Sequence, residues 1–338
     1  MEVERNIEVT KLPRVVVADV QTEESEERWR NDLKGLHVDL VLVNDPSIGA
    51  LFRAARGAHI IISKDRPIDE ALLERAGPQI HLLIKLSHWP IGIDTKACQQ
   101  RDIRLRMVPQ IGRITVAEHA MGLVLACARA IIPGHIGVVN GSYRGLGLTP
   151  CVTTEKSFAF KWLPVKPFEL YGKTLGIIGL GEIGKELAVR ARGFGMEILY
   201  YKRTPLSRPW EKTLEVRFSD FRTLLERSDF VSLHVPHIEN TNKMLGKAEF
   251  QIMKPTAYLI NTARGGVVDE DALVWALKSG EIAGAGLDVF ANEPLPFDHP
   301  LLRLNNVVLS PHIGGGSGTG RAVLAQELRE IIQEVTDL

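Results

Sequence analysis

The chain has 338 residues, 45% of them hydrophobic, which is enough to bury two cores and makes two domains the expected organisation. Lysine plus arginine and aspartate plus glutamate number 41 each, so the composition shows no charge bias toward nucleic acid or an acidic membrane as a partner. The three cysteines, Cys98, Cys127 and Cys151, have neither metal-binding nor redox spacing, and we expect no metal site.

The amino terminus is charged. Met1 to Lys11 lacks the apolar run of a signal peptide. No continuous apolar run approaches the roughly 18 residues that a membrane-spanning helix requires. These features predict a cytoplasmic protein with no membrane partner.

The first part of the chain alternates between strand-like and helical patterns, which predicts an α/β domain. The predicted strands are Val15–Ala18, Asp39–Val43, His59–Ile62, His81–Ile84 and Arg104–Val108, and the clearest helical stretches are Glu24–Leu33 and Asp69–Arg75.

A glycine signature, G-L-G-E-I-G, follows the apolar strand-like run Thr174–Leu180 and opens the helical pattern Glu182–Phe194. Gly179 allows a tight turn, Gly181 lets the backbone approach a pyrophosphate, and Gly184 permits close helix packing. The phosphates would face the positive end of the helix dipole. Strand, turn and helix in this order favour a dinucleotide site over an ordinary turn that happens to contain three glycines.

The strand Glu197–Tyr201 should be followed by an acid if the coenzyme is NAD, because a carboxylate there binds the ribose hydroxyls. Lys202, Arg203 and Thr204 stand there instead. Two cations and a hydroxyl suit a 2′-phosphate, so NADP(H) is favoured over NAD(H). The alternative is a solvated basic turn.

The βαβ alternation continues to the end of the glycine-containing region and predicts a doubly wound parallel Rossmann sheet. Its further strands are Phe230–Val235, Ala257–Thr262, Gly284–Phe290 and Val307–Ser310, and its further helices are Asp220–Arg227, Lys247–Met253 and Asp269–Lys278. Ligands of such sheets bind at the carboxyl ends of the strands. Arg264, Glu293 and His312 all follow strand ends, so we expect them to share a site.

These three residues are the side chains that hydride transfer to a keto acid requires. Hydride addition to a ketone creates an alkoxide, and His312 can supply a proton to it near neutral pH. Glu293 beside His312 would favour the imidazolium, and the planar fork of Arg264 suits a substrate carboxylate. Each residue alone could be structural, but together they indicate a dehydrogenase.

Five segments resemble the signatures of the D-isomer-specific 2-hydroxyacid dehydrogenases, and the likeness covers most of the chain. They are Val116–His119, Met253–Pro255, Leu259–Glu270, Gly286–Pro294 and Ser310–Gly315.

The resemblance implies a role for each site residue. Arg264 would bind the carboxylate and polarise the keto oxygen, His312 would be the general acid or base, and Glu293 would pair with His312. Thr115 and Asp288 would lie near the nicotinamide. Further dinucleotide contacts are expected from Glu182, Ile183, Val235, Pro236 and Thr262.

The resemblance also implies a discontinuous, flavodoxin-like substrate domain at residues 1–112 and 313–338, and a dinucleotide-binding Rossmann domain at residues 113–312. A long helix containing Val116–His119 would lead into the second domain, and a helix at about Arg321–Val335 would return to the first. Glu118 and His119 are then expected to brace the helix rather than to act in catalysis.

Two segments depart from the family pattern. The family has a glycine-containing turn where this chain has Leu86–Asp94, so Ser87, His88 and Trp89 are candidate substrate residues that would reshape the pocket. Packing of Trp89 against a neighbouring loop is the alternative. The segment Arg144–Glu169 is longer than its counterpart, and we expect an ordered lid or a dimer contact there, with a disordered loop as the alternative.

Other proteins on this scaffold have different residues at key positions. Phosphite dehydrogenases have a lysine near the position of His88, and formate dehydrogenases have a glutamine at the position of Glu293, and neither is present here. The C-terminal-binding corepressors keep the triad, so a dinucleotide-sensing binding protein stays open as the alternative. The basic turn resembles that of the NADPH-using glyoxylate and hydroxypyruvate reductases, which makes an enzyme acting on a small 2-keto or D-2-hydroxy acid the favoured interpretation. We also expect a homodimer.

Overall fold

The computed structural model describes residues 12–147 and 166–336. The chain divides into two compact units, Met1–Gly112 with Ser317–Leu338, and Arg113–Gly316. Each is built on an all-parallel sheet with helices between the strands. The α/β fold class and the doubly wound sheet predicted from the alternation are confirmed.

The first unit has five strands in the order β2-β1-β3-β4-β5, which is the flavodoxin-like order. Its elements are β1 (Arg14–Val17), α1 (Glu23–Asp32), β2 (Asp39–Leu42), α2 (Ile48–Ala55), β3 (Ile60–Ser63), α3 (Glu70–Ala76), β4 (Leu82–Lys85), α4 (Thr95–Gln100), β5 (Arg104–Met107) and α12 (Gly320–Thr336).

Both faces of the central strands β1, β3 and β4 are buried, which explains the apolar runs of these strands. In β3, Ile60 and Ile62 pack in one cluster with Leu328 of α12. Ile61, which points to the other face, packs in a second cluster with Leu72 of α3. The carboxyl-terminal helix therefore packs in the core of the first unit.

The second unit has seven strands in the order β12-β11-β10-β9-β6-β7-β8. Its elements are α5 (Ile111–Ala128, of which the first two residues belong to the first unit), α6 (Ile131–Val139), β6 (Thr174–Ile178), α7 (Glu182–Gly193), β7 (Glu197–Tyr201), α8 (Arg208–Leu214), β8 (Arg217–Phe218), α9 (Phe221–Arg227), β9 (Phe230–Leu233), α10 (Lys247–Ile252), β10 (Tyr258–Asn261), α11 (Glu270–Ser279), β11 (Gly284–Leu287) and β12 (Val307–Leu309).

The strand order of the second unit reverses at β6, which pairs with β7 on one side and with β9 on the other. Ligands of doubly wound sheets bind in the crevice at the carboxyl ends of the strands, at such a switch point. Gly179 follows β6 and Val235 lies just beyond β9, so the fold places the glycine signature and a second predicted coenzyme segment at this crevice.

The observed elements differ from the predicted ones mainly at their ends. The predicted strand Gly284–Phe290 stops at Leu287, because Asp288 turns its carboxylate toward the 310–314 segment. The short strand β8 and the helices α2, α4, α6 and α8 had no clear pattern in the sequence. The predicted start of α11 is correct, since the Asp269 carboxylate accepts a hydrogen bond of 3.2 Å from the Ala272 N–H.

Helix α5 is long and apolar enough, by length and composition alone, to cross a membrane, which the sequence pattern did not indicate. Six of its residues, including Ala117 and Val124, are buried, and Glu118 and His119 interrupt its apolar surface with polar contacts described below. The core helix of a globular protein passes the same test, so one such helix is weak evidence for a membrane span.

Most of the long segment Arg144–Glu169, predicted to be a lid or a dimer contact, lies outside the described residues. Among its described residues, Phe168 stacks against Phe230 of β9 and lies 5.7 Å from Tyr258 of β10, measured between ring centroids. Its carboxyl end is thus packed against the sheet of the second unit.

Candidate active site

The three signature glycines form the turn from β6 into α7. Gly179 has φ +98°, and a Cβ atom there would lie 2.7 Å from the carbonyl oxygen of His234. A Cβ atom at Gly184 would lie 2.6 Å from the carbonyl oxygen of Gly179. At Gly181, no atom of the described chain lies within 4 Å of the Cβ position. Two glycines therefore allow close packing, and the third leaves space at the start of α7.

The surrounding residues fit a dinucleotide. The hydroxyl oxygen of Thr262 is buried and has no hydrogen-bond partner within residues 12–147 and 166–336, so a ligand can provide one. The open space at Gly181, beside the positive end of the α7 dipole, suits a pyrophosphate. Val235 is partly buried and Pro236 is exposed at the end of β9, and Thr115 is partly buried in α5. Their predicted contacts with the coenzyme stay predictions.

The basic turn begins directly after β7. Lys202 is half-buried, whereas Arg203 and Thr204 are exposed. Burial and the charge of Lys185 lower the pKa of Lys202, while the charge of Glu182 acts in the opposite direction. The first turn of α7 thus acts electrostatically on Lys202, a relationship that the sequence pattern did not predict.

The structure brings His312 and Glu293 into direct contact, as predicted. The Nδ1 atom of His312 donates a hydrogen bond of 2.6 Å to Oε2 of Glu293. Oε1 of Glu293 accepts a second hydrogen bond, of 3.0 Å, from the N–H of Phe290. Because Nδ1 is engaged, Nε2 is the nitrogen of His312 through which a proton can pass to a substrate.

The pKa of Glu293 reflects this pairing. Burial alone would raise it, but the hydrogen bonds from His312 and from the Phe290 N–H outweigh burial and lower it. Glu293 therefore stays a carboxylate throughout the neutral range. It is available both to orient the His312 ring and to stabilise its protonated form.

The backbone of His312 is in the left-handed region, with φ +53°, which non-glycine residues adopt rarely. Its N–H donates a hydrogen bond of 2.8 Å to the carbonyl oxygen of Asp288. The Asp288 carboxylate accepts hydrogen bonds from the Ser310 hydroxyl at 2.6 Å and from the Gly314 N–H at 2.8 Å. Asp288 thus binds the backbone of His312 and also residues before and after it. These contacts hold His312 in its left-handed conformation.

Asp288 is accordingly a positioning residue in this structure. Burial would raise its pKa, but the hydrogen bonds from Ser310, Gly314 and Ile313 outweigh burial and lower it. The predicted contact between Asp288 and the nicotinamide stays a prediction.

His119 and Glu118 occupy structural positions. Nε2 of His119 donates a hydrogen bond of 2.8 Å to the Ser310 hydroxyl and lies 3.2 Å from the Asp288 carboxylate. Glu118 lies 3.3 Å from the guanidinium of Arg190 on α7. These contacts tie α5 to the β12 loop and to α7, which is the bracing role expected for both side chains.

Arg264 is exposed on a turn that Asn261 shapes at the end of β10. The Asn261 side chain accepts a hydrogen bond of 3.0 Å from the Ala263 N–H and donates one of 3.0 Å to the Arg264 carbonyl oxygen. The Nη1 atom of Arg264 donates a hydrogen bond to the Ala263 carbonyl oxygen at 2.6 Å, which leaves the rest of the guanidinium at the surface. The fork that would bind a carboxylate is therefore accessible.

Gly265 connects the Arg264 turn to the Glu293 loop. A Cβ atom at Gly265 would lie 1.9 Å from the carbonyl carbon of Phe290 and 2.3 Å from the nitrogen of Ala291. Only a glycine allows these two backbones to approach so closely. Since the Phe290 N–H also binds Glu293, the contact connects Arg264 to the His312–Glu293 pair.

We expect Gly265→Ala to lower kcat/KM by at least about tenfold and to destabilise the protein by about 1 to 3 kcal/mol, because the two loops must separate. Gly193→Ala, at a position where nothing described lies within 4 Å of the added Cβ, is the matched control. Steady-state kinetics and thermal unfolding check both effects. A Gly265→Ala protein with parental activity and stability would remove the proposed coupling.

The predicted substrate residues of the first unit lie directly after β4. Ser87 is buried and its hydroxyl accepts a hydrogen bond of 3.0 Å from the Trp89 N–H. His88 is exposed, and its ring meets the Trp89 ring edge-on at 5.6 Å between centroids. The two aromatic rings thus pack against each other, and His88 is at the surface.

Sequence reasoning missed three contributors to the site: Gly265, Asn261 and Ser310. Each acts on a partner residue through a backbone or hydroxyl contact and has no distinctive chemistry of its own. The two neighbouring glycines after Arg264 were a signal for Gly265, because glycine allows a close approach of two backbones. In the described part of the chain, no group of three His, Cys, Asp or Glu side chains could hold a metal ion.

The chain is similar to known proteins over most of its length. Residues 121–314 match a family model for the NAD-binding domain of the D-isomer specific 2-hydroxyacid dehydrogenases. A glyoxylate reductase from Korarchaeum cryptofilum is 38% identical over 324 residues, which cover 94% of this chain and 91% of that protein. A glyoxylate/hydroxypyruvate reductase B from Enterobacter sp. strain 638 is 40% identical over 275 residues, covering 81% and 79%. Among solved structures, a protein of Thermus thermophilus has a TM-score of 0.56 at 33% identity, covering 96% of this chain and 97% of that one.

Proposed function

The chain belongs to the D-isomer-specific 2-hydroxyacid dehydrogenases, and from this premise we propose that it reduces glyoxylate and hydroxypyruvate with NADPH. It is an NAD(P)-dependent oxidoreductase of the CH–OH group. Similar proteins named glyoxylate reductase and glyoxylate/hydroxypyruvate reductase support the substrate. The observation that carries the proposal is the 2.6 Å hydrogen bond from His312 to Glu293, which leaves Nε2 of the ring for the substrate.

Each residue of the site has a defined role in this reaction. The bound nicotinamide supplies the hydride. Arg264 binds the substrate carboxylate and draws electron density from the keto oxygen, so that the carbonyl carbon accepts the hydride. His312 donates the proton from Nε2 to the oxygen that becomes the hydroxyl. Glu293 stabilises the imidazolium before that transfer and orients the ring during it.

The experiment that tests the function is a panel of 2-keto acids with each coenzyme, followed by the loss of absorbance of the reduced coenzyme. Glyoxylate and hydroxypyruvate should have the highest kcat/KM, ahead of longer or branched acids. Tight coenzyme binding without turnover of any acid would instead support the dinucleotide-sensing alternative.

Substrate size is proposed to depend on Ser87, His88 and Trp89. The bulk of Trp89 after β4, packed edge-on against His88, supports a pocket suited to small acids. In the same panel, Trp89→Ala should change the ranking of acids by size while leaving the KM for coenzyme nearly constant. If Trp89→Ala changes kcat/KM equally for all acids and changes the KM for coenzyme as much, Trp89 is a packing residue.

The coenzyme is proposed to be NADP(H), because Lys202, Arg203 and Thr204 stand where an NAD-binding chain would carry an acid. We expect Arg203→Ala to lower kcat/KM for NADPH by about tenfold or more and to change NADH little, because charge-assisted hydrogen bonds to a phosphate contribute about 1.5 to 3 kcal/mol each. Lys202→Asp should move the preference toward NADH by repelling the phosphate and accepting from the ribose hydroxyls. Kinetics with both coenzymes check this, and a parent enzyme that prefers NADH would contradict it.

A homodimer is proposed on the basis of an exposed apolar surface on α6 and the turn after it. Its exposed members are Ile131, Ile132, Ile136, Val138, Val139 and Leu146. Patches of this kind on a folded protein mark association sites. A second copy of the chain is the proposed occupant, because an identical helix offers the matching apolar surface that two-fold symmetry requires.

We expect Ile136→Asp to convert the dimer to a monomer, because a charge would be buried in an apolar interface. Light scattering coupled to gel filtration measures the mass. Phe297→Asp, which changes an exposed apolar residue outside this surface, is the control. A parent protein that elutes as a monomer would contradict the proposal.

A further inference from the structure

The start of α7 contains a buried ion pair that includes Glu182, one of the residues expected to contact the dinucleotide. Glu182 is the first residue of the helix and forms an ion pair with Lys185, one turn further along. The side chains are only 11% and 5% exposed. Charged side chains that are this well buried at the edge of a coenzyme crevice affect any charge that binds beside them, since burial weakens solvent screening.

The ion pair lies next to the turn that would contact the coenzyme ribose. The last residues of β6 and β7 are in register, with Ile178 opposite Tyr201, and the Gly179 N–H donates a hydrogen bond of 2.9 Å to the Tyr201 carbonyl oxygen. Lys202 follows Tyr201, and its pKa responds to burial, to Lys185 and to Glu182. Lys202 and the Glu182–Lys185 pair therefore stand just beyond the carboxyl ends of two neighbouring strands.

We propose that Glu182 and Lys185 set the strength of coenzyme discrimination, with Lys185 supporting and Glu182 opposing the binding of a 2′-phosphate. The inference rests on the proposed function only in taking this crevice as the coenzyme site. Glu182 is also a carboxylate at the same end of the sheet, in a chain that has no acid directly after β7, and we expect it to preserve binding of a 2′-hydroxyl. Without that carboxylate, Lys185 and Lys202 together would favour the phosphorylated ribose more strongly.

The sign of each effect follows from Coulomb's law. A 2′-phosphate carries close to two negative charges, whereas a 2′-hydroxyl carries none, so removal of a nearby negative charge stabilises only the former. Glu182→Gln should therefore raise discrimination in favour of the phosphate. Lys185→Met, which removes a positive charge and keeps much of the side-chain volume, should lower it.

The experiment is calorimetric titration of the full-length protein with adenosine 2′,5′-bisphosphate and with adenosine 5′-monophosphate, and it requires no turnover. The measured quantity is the ratio of the two dissociation constants. We expect Glu182→Gln to shift this ratio by at least about threefold in favour of the bisphosphate and Lys185→Met to shift it by a similar factor in the opposite direction. Glu186→Gln is the matched control, because Glu186 lies on the same helix in an ion pair with Arg190.

The titrations distinguish failure of the ion-pair proposal from failure of the proposed NADP(H) preference. If the parent protein binds both nucleotides equally, NADP(H) preference fails, but opposite shifts in the two variants would still support the role of the pair. A ratio that is unchanged in Glu182→Gln, or that moves as much in Glu186→Gln, overturns the inference. Since Glu182→Gln is nearly isosteric, it keeps the test decisive even if Lys185→Met does not fold.

Discussion

Replacement of His312 by alanine should lower kcat/KM for keto-acid reduction by at least about a hundredfold, because the developing alkoxide loses its proton donor. Coenzyme affinity should stay nearly unchanged, since the glycine turn, α7 and Thr262 are untouched. Steady-state kinetics and coenzyme titration measure the two effects separately. His37→Ala, which removes an exposed histidine of the first unit, should leave both at the parental level.

The Glu293→Gln variant tests whether the negative charge of Glu293 contributes to proton donation by His312. The amide can still accept a hydrogen bond from Nδ1, but it no longer neutralises the imidazolium. Reduction requires the protonated ring, so the variant should keep some activity at acidic pH and lose it at a lower pH than the parent enzyme. An unchanged alkaline limb of the pH–rate profile would show that the carboxylate charge has no part in the reaction.

Arg264→Ala should also lower kcat/KM by at least about a hundredfold, because both the carboxylate contact and the polarisation of the keto oxygen are lost. Arg264→Lys keeps the charge but not the planar fork, and we expect it to recover only part of the activity. The measurement is kcat and KM for the best acid of the panel in both variants. Near-normal turnover by Arg264→Ala would remove the proposed active site.

Local patterns in the sequence were sufficient for most of the fold. The apolar runs around Ile60–Ile62 and Thr174–Ile178 predicted strands because both faces of each sheet are buried, and that burial is visible in the structure. The glycine signature identified the β6–α7 turn, since close packing at Gly179 and Gly184 excludes side chains. Short elements such as β8 have too few residues to show a periodic pattern of apolar side chains.

The sequence indicated the chemistry of the candidate site but not the contacts that hold its residues in place. His312 and Glu293 could be chosen because hydride transfer needs a proton donor and a group that stabilises it. The approach of Gly265 to Phe290 joins residues far apart in sequence, and so does the link between Ser310 and Asp288. Nothing in the composition of these segments indicates such a contact. For the same reason, the Glu182–Lys185 pair beside Lys202 appeared only with the structure.

The most direct test of the central claim is chiral analysis of the glycerate that forms when the enzyme reduces hydroxypyruvate with NADPH. With Arg264 holding the carboxylate and His312 delivering the proton, the hydride can reach only one face of the carbonyl carbon. Family membership then predicts that the product is D-glycerate alone. L-glycerate, a racemic product or no reduction at all would contradict the account.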